Sequence, residues 1–272
     1  MQILDCGLRI WNSGIQAFRD LRSAKLNNDL PFTTFSWILT PRFFDCRLRI
    51  ADCEIRMNTL SDKLNEIYQL LLKAYGPQHW WPADSALEVM VGAVLTQNTN
   101  WQGVEKAIAN LNKNGLLSLD KLYHRPVEEL AEFIKPAGYF NLKARRLKNL
   151  IGMVAEAYGG DLNAMGQMET AQLRQELLSV NGVGPETADS ILLYAFHRPI
   201  FVVDTYTYRV TSRHGLMEEE VNYQALQDLF MHHLPLDVEM FNEYHALLVR
   251  VGKLHCKRKP RCQDCPLEPL LP

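Results

Sequence analysis

From Leu60 onward, apolar residues recur at helical spacing in segments separated by short polar, glycine or proline breaks. The first segment runs Leu60 to Tyr75 on Leu64, Ile67 and Leu71. Ala86 to Leu95, Trp101 to Asn112, Val127 to Ile134, Leu142 to Tyr158 and Thr170 to Leu178 follow. From Glu186, the residues Ala188, Ile191, Leu192 and Ala195 make one more stripe, which stops at His197-Arg198-Pro199. Strand-like alternation is nearly absent, so the pattern predicts an all-α protein. Roughly 215 residues of this kind, in a chain 47% hydrophobic, suffice to bury a sizeable core as one or two helical lobes.

The stretch Val180 to Asp204, VNGVGPETADSILLYAFHRPIFVVD, carries the densest chemical information. Gly182-Val183-Gly184 reads as a tight turn between helices, with glycines where φ turns positive and where a ligand approaches the backbone. Pro185 suits the first helical turn, and the amides that follow, with the Thr187 hydroxyl among them, would face a phosphate oxygen. Ile200 to Val203 then bring Asp204 to the same place. A GxG turn alone is shared with ordinary packing turns; the joined string is more specific.

LLSVNGVGPETADSIL followed by VVDTYTYRVTSRHG resembles the helix-hairpin-helix DNA glycosylases of the endonuclease III superfamily. The resemblance extends through ALEVMVGAVLTQNTNWQGVEKAI, PAGYFNLKARRLKNL and FNEYHALLVRVGKLHCKRKPRCQDCPL, covering about four-fifths of the chain. It implies two helical lobes with an active-site cleft between them. One lobe would be made from roughly residues 86–200 and the other from the first and last helices of a 57–272 core, with 1–56 an N-terminal extension.

It also implies that Asp204 is the catalytic carboxylate, since N-glycosidic cleavage builds positive charge on the sugar that a preorganised carboxylate stabilises or captures with water. The same aspartate is a suitable N-cap for TYTYRVTSRHG, and both roles are compatible. Glu186 stands where bifunctional relatives carry a lysine that forms a Schiff base and permits strand cleavage. A carboxylate cannot do so. The resemblance therefore implies a monofunctional glycosylase that hydrolyses the bond, with lyase activity disfavoured; as a bland alternative, Glu186 is a first-turn acid favoured by the helix dipole.

Trp80-Trp81-Pro82, with the glutamate after GVGP, looks most like the 3-methyladenine DNA glycosylase III subgroup. An alkylated purine bearing positive charge stacks well on indole, and a base flipped from the duplex must recover the few kcal/mol lost on unstacking. Each tryptophan either serves that pocket or caps the core. Gln97, with Asn98 beside it, matches the family residue that enters the duplex, or else QNT is a helix C-cap and turn. Lys143, Arg145 and Arg146, with Lys148, either contact phosphate or form a solvated helix face. The implied partner is double-stranded DNA with a damaged base, bound by a monomer. Two other readings stand beside this one: an endonuclease III-like glycosylase and lyase for another lesion, and a DNA-binding iron-sulfur module without catalysis.

Net charge does not advertise DNA binding, at 29 basic against 31 acidic residues; residues 1–56 hold 8 and 6 of these. Any electrostatic footprint is therefore local, from the Lys143 cluster and from Lys257, Arg258, Lys259 and Arg261. Cys256, Cys262 and Cys265 follow C-x5-C-x2-C, whereas related glycosylases usually hold a 4Fe-4S cluster on C-x6-C-x2-C-x5-C. Here the first gap is one residue short and Leu271 replaces the fourth cysteine, which leaves open a cluster with another ligand, a zinc site completed by His255, or reduced thiols.

Cys6, Cys46 and Cys53 lie in the N-terminal segment. With no secretory signal and no apolar run long enough to span a membrane, a cytoplasmic, nucleoid-associated protein with reduced thiols is expected. DCGLRI at Asp5 is echoed by DCRLRI at Asp45, and the segment reads either as sequence upstream of a true start at Met57 or as a short variable extension.

Overall fold

The computed structural model describes residues 42–217 and 221–272, with side chains from residue 59. The chain divides into two compact units, Met1–Glu54 and Ile55–Pro272; the second is described below. The expectations about Cys6, Cys46, Cys53, the echoed hexapeptide and Met57 lie outside the described side chains.

Among the described residues the chain is helical and contains no strand. The helices are α1 (Arg42–Tyr75), α2 (Ala86–Leu95), α3 (Trp101–Lys113), α4 (Leu119–His124), α5 (Val127–Phe133), α6 (Phe140–Tyr158), α7 (Leu162–Gly166), α8 (Thr170–Ser179), α9 (Pro185–Ser190), α10 (Thr205–Arg213), α11 (Tyr223–His233) and α12 (Val238–Leu254). Side-chain caps fix several starts: Ser85 accepts from Glu88 N–H, Asn100 from Gly103 N–H and Asp237 from Met240 N–H. None of the described helices is long and apolar enough to cross a membrane.

The apolar stripes assemble into two cores. One joins Met90 and Val94 of α2, Val104 and Leu111 of α3, Leu147 and Leu150 of α6, and Leu173 and Leu177 of α8. The other joins Leu64, Ile67 and Leu71 of α1 to Phe201, Val210, Phe230 and Leu247 of the later segments. Phe201 stacks on Phe230 with centroids 3.9 Å apart, and Tyr244 donates from its hydroxyl to the Leu64 carbonyl at 2.8 Å, tying α12 to α1.

One departure from the predicted helices organises the rest. The stripe from Glu186 to Ala195 predicts a regular helix, but after Ser190 it widens into a π turn, Ile191–Ala195, closed by Phe196 N–H on the Ile191 carbonyl. Ile191 and Leu192 enter the first core, while Leu193 and Tyr194 enter the second. The extra residue in the turn lets one short run serve both cores, and it delivers Tyr194 toward α12.

Candidate active site

Asp204 begins α10 as its N-cap, in extended conformation. Its Oδ1 accepts from the backbone N–H of Tyr206 (2.9 Å) and Thr207 (2.8 Å) and from the Thr207 hydroxyl (3.0 Å). Its Oδ2 lies 3.7 Å from Nε2 of His245 on α12. Burial alone would push this carboxyl up; the His245 and Thr207 contacts outweigh it and hold the group below the usual carboxylate range. α10 and α12 approach closely because Gly252 has no side chain: a Cβ there would sit 2.3 Å from the Tyr206 ring.

Glu186, in the first turn of α9, reaches solvent, yet it is partly desolvated, with Asp204 and His245 close enough to act on it. Removal of bulk water and the Asp204 charge together raise its carboxyl to about 7. Asp204 and His245 are the titratable groups that act on it, and no amine stands among them.

The glycine turn is built differently from its sequence reading. Gly182 has φ 98°, and a Cβ there would lie 2.3 Å from Arg146 Cγ, so close packing and backbone sign both require glycine. Gly184 instead has φ −96° and ψ 177°, the ordinary extended N-cap of α9, with nothing within 4 Å of a Cβ. Its value is open space over the helix start rather than a positive φ.

Several expected DNA contacts are also engaged inside the protein. Gln97 donates from Nε2 to the Gly182 carbonyl and the Thr187 hydroxyl, each at 3.0 Å, while its Oε1 accepts from Arg146 at 2.5 Å. Thr187 is buried, so its hydroxyl serves Gln97 rather than facing a phosphate. Lys143 is buried too: Nζ donates to the carbonyls of Leu95 (2.9 Å) and Ala137 (2.7 Å), and burial, with Arg146 nearby, lowers the amine to about 8. Of the basic cluster, Arg145 is exposed and Arg146 is half-buried. Asn98 is exposed, with φ 50°.

Trp80 and Trp81 form an aromatic cluster with Trp101, with centroids 4.6 to 5.1 Å apart. Trp81 packs on Gly92 and lies 5.2 Å from the Tyr194 ring, at the junction of both cores. The indole N–H groups of Trp80 and Trp81 and the Nε2 of His245 are buried without hydrogen-bond partners. Of the three, His245 Nε2 faces the Asp204 carboxylate. His245, Tyr194 and Trp101 were not singled out from the sequence; a histidine within the apolar α12 segment was the available signal. Tyr139, with φ 46° and 70% exposed, is another, on the turn beside Thr99.

Cys256, Cys262 and Cys265 line one narrow pocket together with His255, Leu267 and Leu271, with a cavity volume of only about 20 Å³. Burial raises the Cys265 thiol above its ordinary value, with the other two thiols adding to the shift. Arg213 donates to Cys256 Sγ at 3.1 Å and to the Lys257 carbonyl, and Arg209 donates to the Cys256 carbonyl, so the loop is clamped to α10. No described trio of His, Cys, Asp or Glu is placed to hold a metal ion. Cys256, Cys262 and Cys265 supply three thiols to this pocket and Leu271 an apolar side chain, and these residues do not complete the four-thiolate set of a 4Fe-4S cluster.

A Methanocaldococcus jannaschii protein assigned by name to the DNA repair glycosylases is 48% identical over 208 residues, covering 76% of this chain and 94% of its own. Endonuclease III of Sulfolobus acidocaldarius is 28% identical over 76% of this chain and 92% of its own. The structure of 3-methyladenine DNA glycosylase (MagIII) from H. pylori, bound to 1,N6-ethenoadenine, superposes with a TM-score of 0.63 at 29% identity, covering 72% of this chain and 97% of that one. Endonuclease III trapped on DNA shares the fold, with a TM-score of 0.67 at 24% identity, over 78% of this chain and 95% of that one. Residues 91–235 match the HhH-GPD superfamily of base excision DNA repair proteins, and with a relative of 48% identity along nearly its whole length the chain belongs to that family of DNA glycosylases.

Proposed function

We propose that this chain is a monofunctional DNA N-glycosylase that flips an alkylated purine out of double-stranded DNA and releases it by hydrolysis. The observation that carries the reading is a pairing of acids: Asp204 holds Oδ1 fixed in its own helix cap and turns Oδ2 toward His245, and its acidic neighbour is Glu186 rather than a lysine. An ionised carboxylate beside the flipped sugar stabilises the oxocarbenium-like transition state or orients water onto it. With no amine at Glu186, no Schiff base forms and the abasic product leaves with its strand intact.

A purine made cationic by alkylation would stack on an indole face such as the Trp80, Trp81 and Trp101 cluster offers. The similar H. pylori enzyme, crystallised with a modified adenine, supports this substrate class. Gly184, with open space above the start of α9, is the place for a backbone phosphate, and Arg145 is the exposed basic side chain that reinforces it. Since Gln97 is tied to Gly182, Thr187 and Arg146, the exposed Tyr139 ring is the side chain better placed to fill the vacated stack. The Cys256 loop acts through folding and docking, because its clamps end on α10 rather than in the cleft.

The test is incubation of the protein with duplexes that each carry one lesion, reading free base and strand cleavage separately. Release of 3-methyladenine without nicking is expected. Nicking that borohydride traps as a covalent adduct would overturn the monofunctional reading, and no release from any lesion would overturn the enzymatic one.

A further inference from the structure

Asp204 gives one oxygen to its own helix and leaves the other to a single recorded neighbour. Oδ1 accepts three hydrogen bonds, while Oδ2 faces His245 Nε2 across 3.7 Å. That nitrogen is buried without a hydrogen-bond partner. On the far side of the ring, Nδ1 lies 2.6 Å from the hydroxyl of Tyr194, which the π turn has delivered to this point.

For a neutral imidazole, one proton lies between Tyr194 and Nδ1, and its placement fixes the rest. If Nδ1–H donated to the phenol, a neutral ring would present a bare lone pair from Nε2 to a carboxylate, and the phenol proton would have no recorded acceptor. If the phenol donates to Nδ1, Nε2 carries the proton and points it at Oδ2. The Trp80 indole N–H lies near enough to the Tyr194 oxygen to act on it, short of good hydrogen-bond geometry, which also leaves the hydroxyl proton directed at the imidazole.

We propose that Tyr194 and His245 are positioning residues for base release: Tyr194 O–H donates to Nδ1 and Nε2–H is aimed at Asp204 Oδ2, holding the carboxylate ionised and in one orientation. This rests on Asp204 being the carboxylate at the sugar. The 3.7 Å gap is longer than a hydrogen bond, as such contacts often are before substrate fills a cleft, and it shortens when DNA is bound. The titratable groups recorded around His245 are Asp204 from the start of α10, Tyr194 from the π turn and Glu186 from α9.

The test uses the full chain and two readouts. Side-chain ¹⁵N NMR reports the imidazole proton directly, and the Nε2–H form is expected; a proton on Nδ1 overturns the proposal whether or not any lesion is released. Single-turnover base release against pH gives the second. His245→Leu is expected to move the acid limb of release up by about one pH unit, so that release below the limb slows by about tenfold, since one unit of carboxylate pKa is there a tenfold change in the ionised fraction. His245→Gln, whose amide can donate in place of Nε2–H, should restore the limb toward the wild-type position, and Tyr194→Phe should fall between. Should His245→Leu fail to fold, these two variants still decide. A slower rate with an unmoved acid limb in all three would leave only a packing role and overturn the proposal. If the wild type releases no base, the assignment of Asp204 falls, and the NMR result still separates the two claims.

Discussion

Thr207 closes a ring of hydrogen bonds on Asp204: its N–H and its hydroxyl donate to Oδ1 at 2.8 and 3.0 Å, and the Asp204 N–H reaches back to the same hydroxyl at 3.4 Å. The residue proposed for chemistry is thus also the N-cap that starts α10. Asparagine keeps an Oδ1 for the cap but loses the negative charge, whereas alanine loses both.

Asp204→Asn is therefore expected to stay within a few tenths of a kcal/mol of wild-type stability, and Asp204→Ala to lose about 1 kcal/mol. Base release should fall by at least roughly 10²-fold in both, the scale of losing a preorganised electrostatic group. Chemical denaturation and single-turnover assays read the two effects separately, with affinity for abasic DNA as the control. Turnover preserved in Asp204→Asn would remove the catalytic assignment.

Glu186 yields a pH prediction with a definite sign. Its carboxyl is raised from 4.5 to about 7, chiefly by burial and next by Asp204, so the folded protein favours the neutral form. The unfolded chain ionises first, and the contribution of this group to stability falls as pH rises from about 4.5 to about 7. Glu186→Gln stays neutral throughout. Relative to wild type, its melting temperature should be higher at pH 8 than at pH 5; solvent at the cleft mouth makes the difference smaller than the pKa shift alone would give. An equal offset at both pH values would mean that Glu186 titrates as an ordinary surface acid.

The helical stripes were legible because apolar residues recur every three or four positions, and Ala86–Leu95 is found with the bounds its pattern predicts. The same rule, applied to charge, would have placed Lys143 correctly, since it shares a face with Leu147, Leu150 and Val154. Reading Lys143, Arg145 and Arg146 as one basic cluster ignored that successive helical residues point in different directions. The π turn was not legible, because ILLYA is as apolar as any regular helix would require. Asp204 and Glu186 came from a continuous motif. His245 meets Tyr194 across 51 residues of sequence, and a contact of that kind belongs to the packing of α12 on the π turn rather than to any local pattern.

The two kinds of lysine and arginine separate in a mutational pair. Lys143→Met leaves the Leu95 and Ala137 carbonyls without their donor, and each buried unpaired acceptor costs about 1 kcal/mol or more. A loss of about 2 kcal/mol is expected, along with weaker DNA binding only as far as the Gln97 turn is disturbed. Arg145→Ala should leave stability within about 0.5 kcal/mol and reduce the salt dependence of DNA affinity by about one counterion. Urea melts and binding titrations over a salt series read both; a steep salt effect from Lys143→Met would contradict its burial.

The last prediction sets the two glycines of the hairpin turn against each other. At Gly182, alanine meets a backbone of φ 98° and an Arg146 side chain 2.3 Å from its Cβ, so the turn must open or Arg146 must leave its bond to Gln97. Gly182→Ala should cost roughly 1–3 kcal/mol and loosen the Gln97 turn. At Gly184 the backbone is already one any residue adopts, and a Cβ meets nothing, so Gly184→Leu should fold with nearly wild-type stability. Its side chain would instead occupy the open space over the start of α9, where a phosphate would sit. Affinity for an abasic duplex should fall by roughly tenfold or more, a loss of about 1.4 kcal/mol on the binding scale. Stability lost at Gly182 and affinity lost at Gly184 is the signature of a turn whose first glycine is needed by the protein and whose second is needed by DNA. If Gly184→Leu bound as tightly as wild type, the start of α9 would not be the phosphate site.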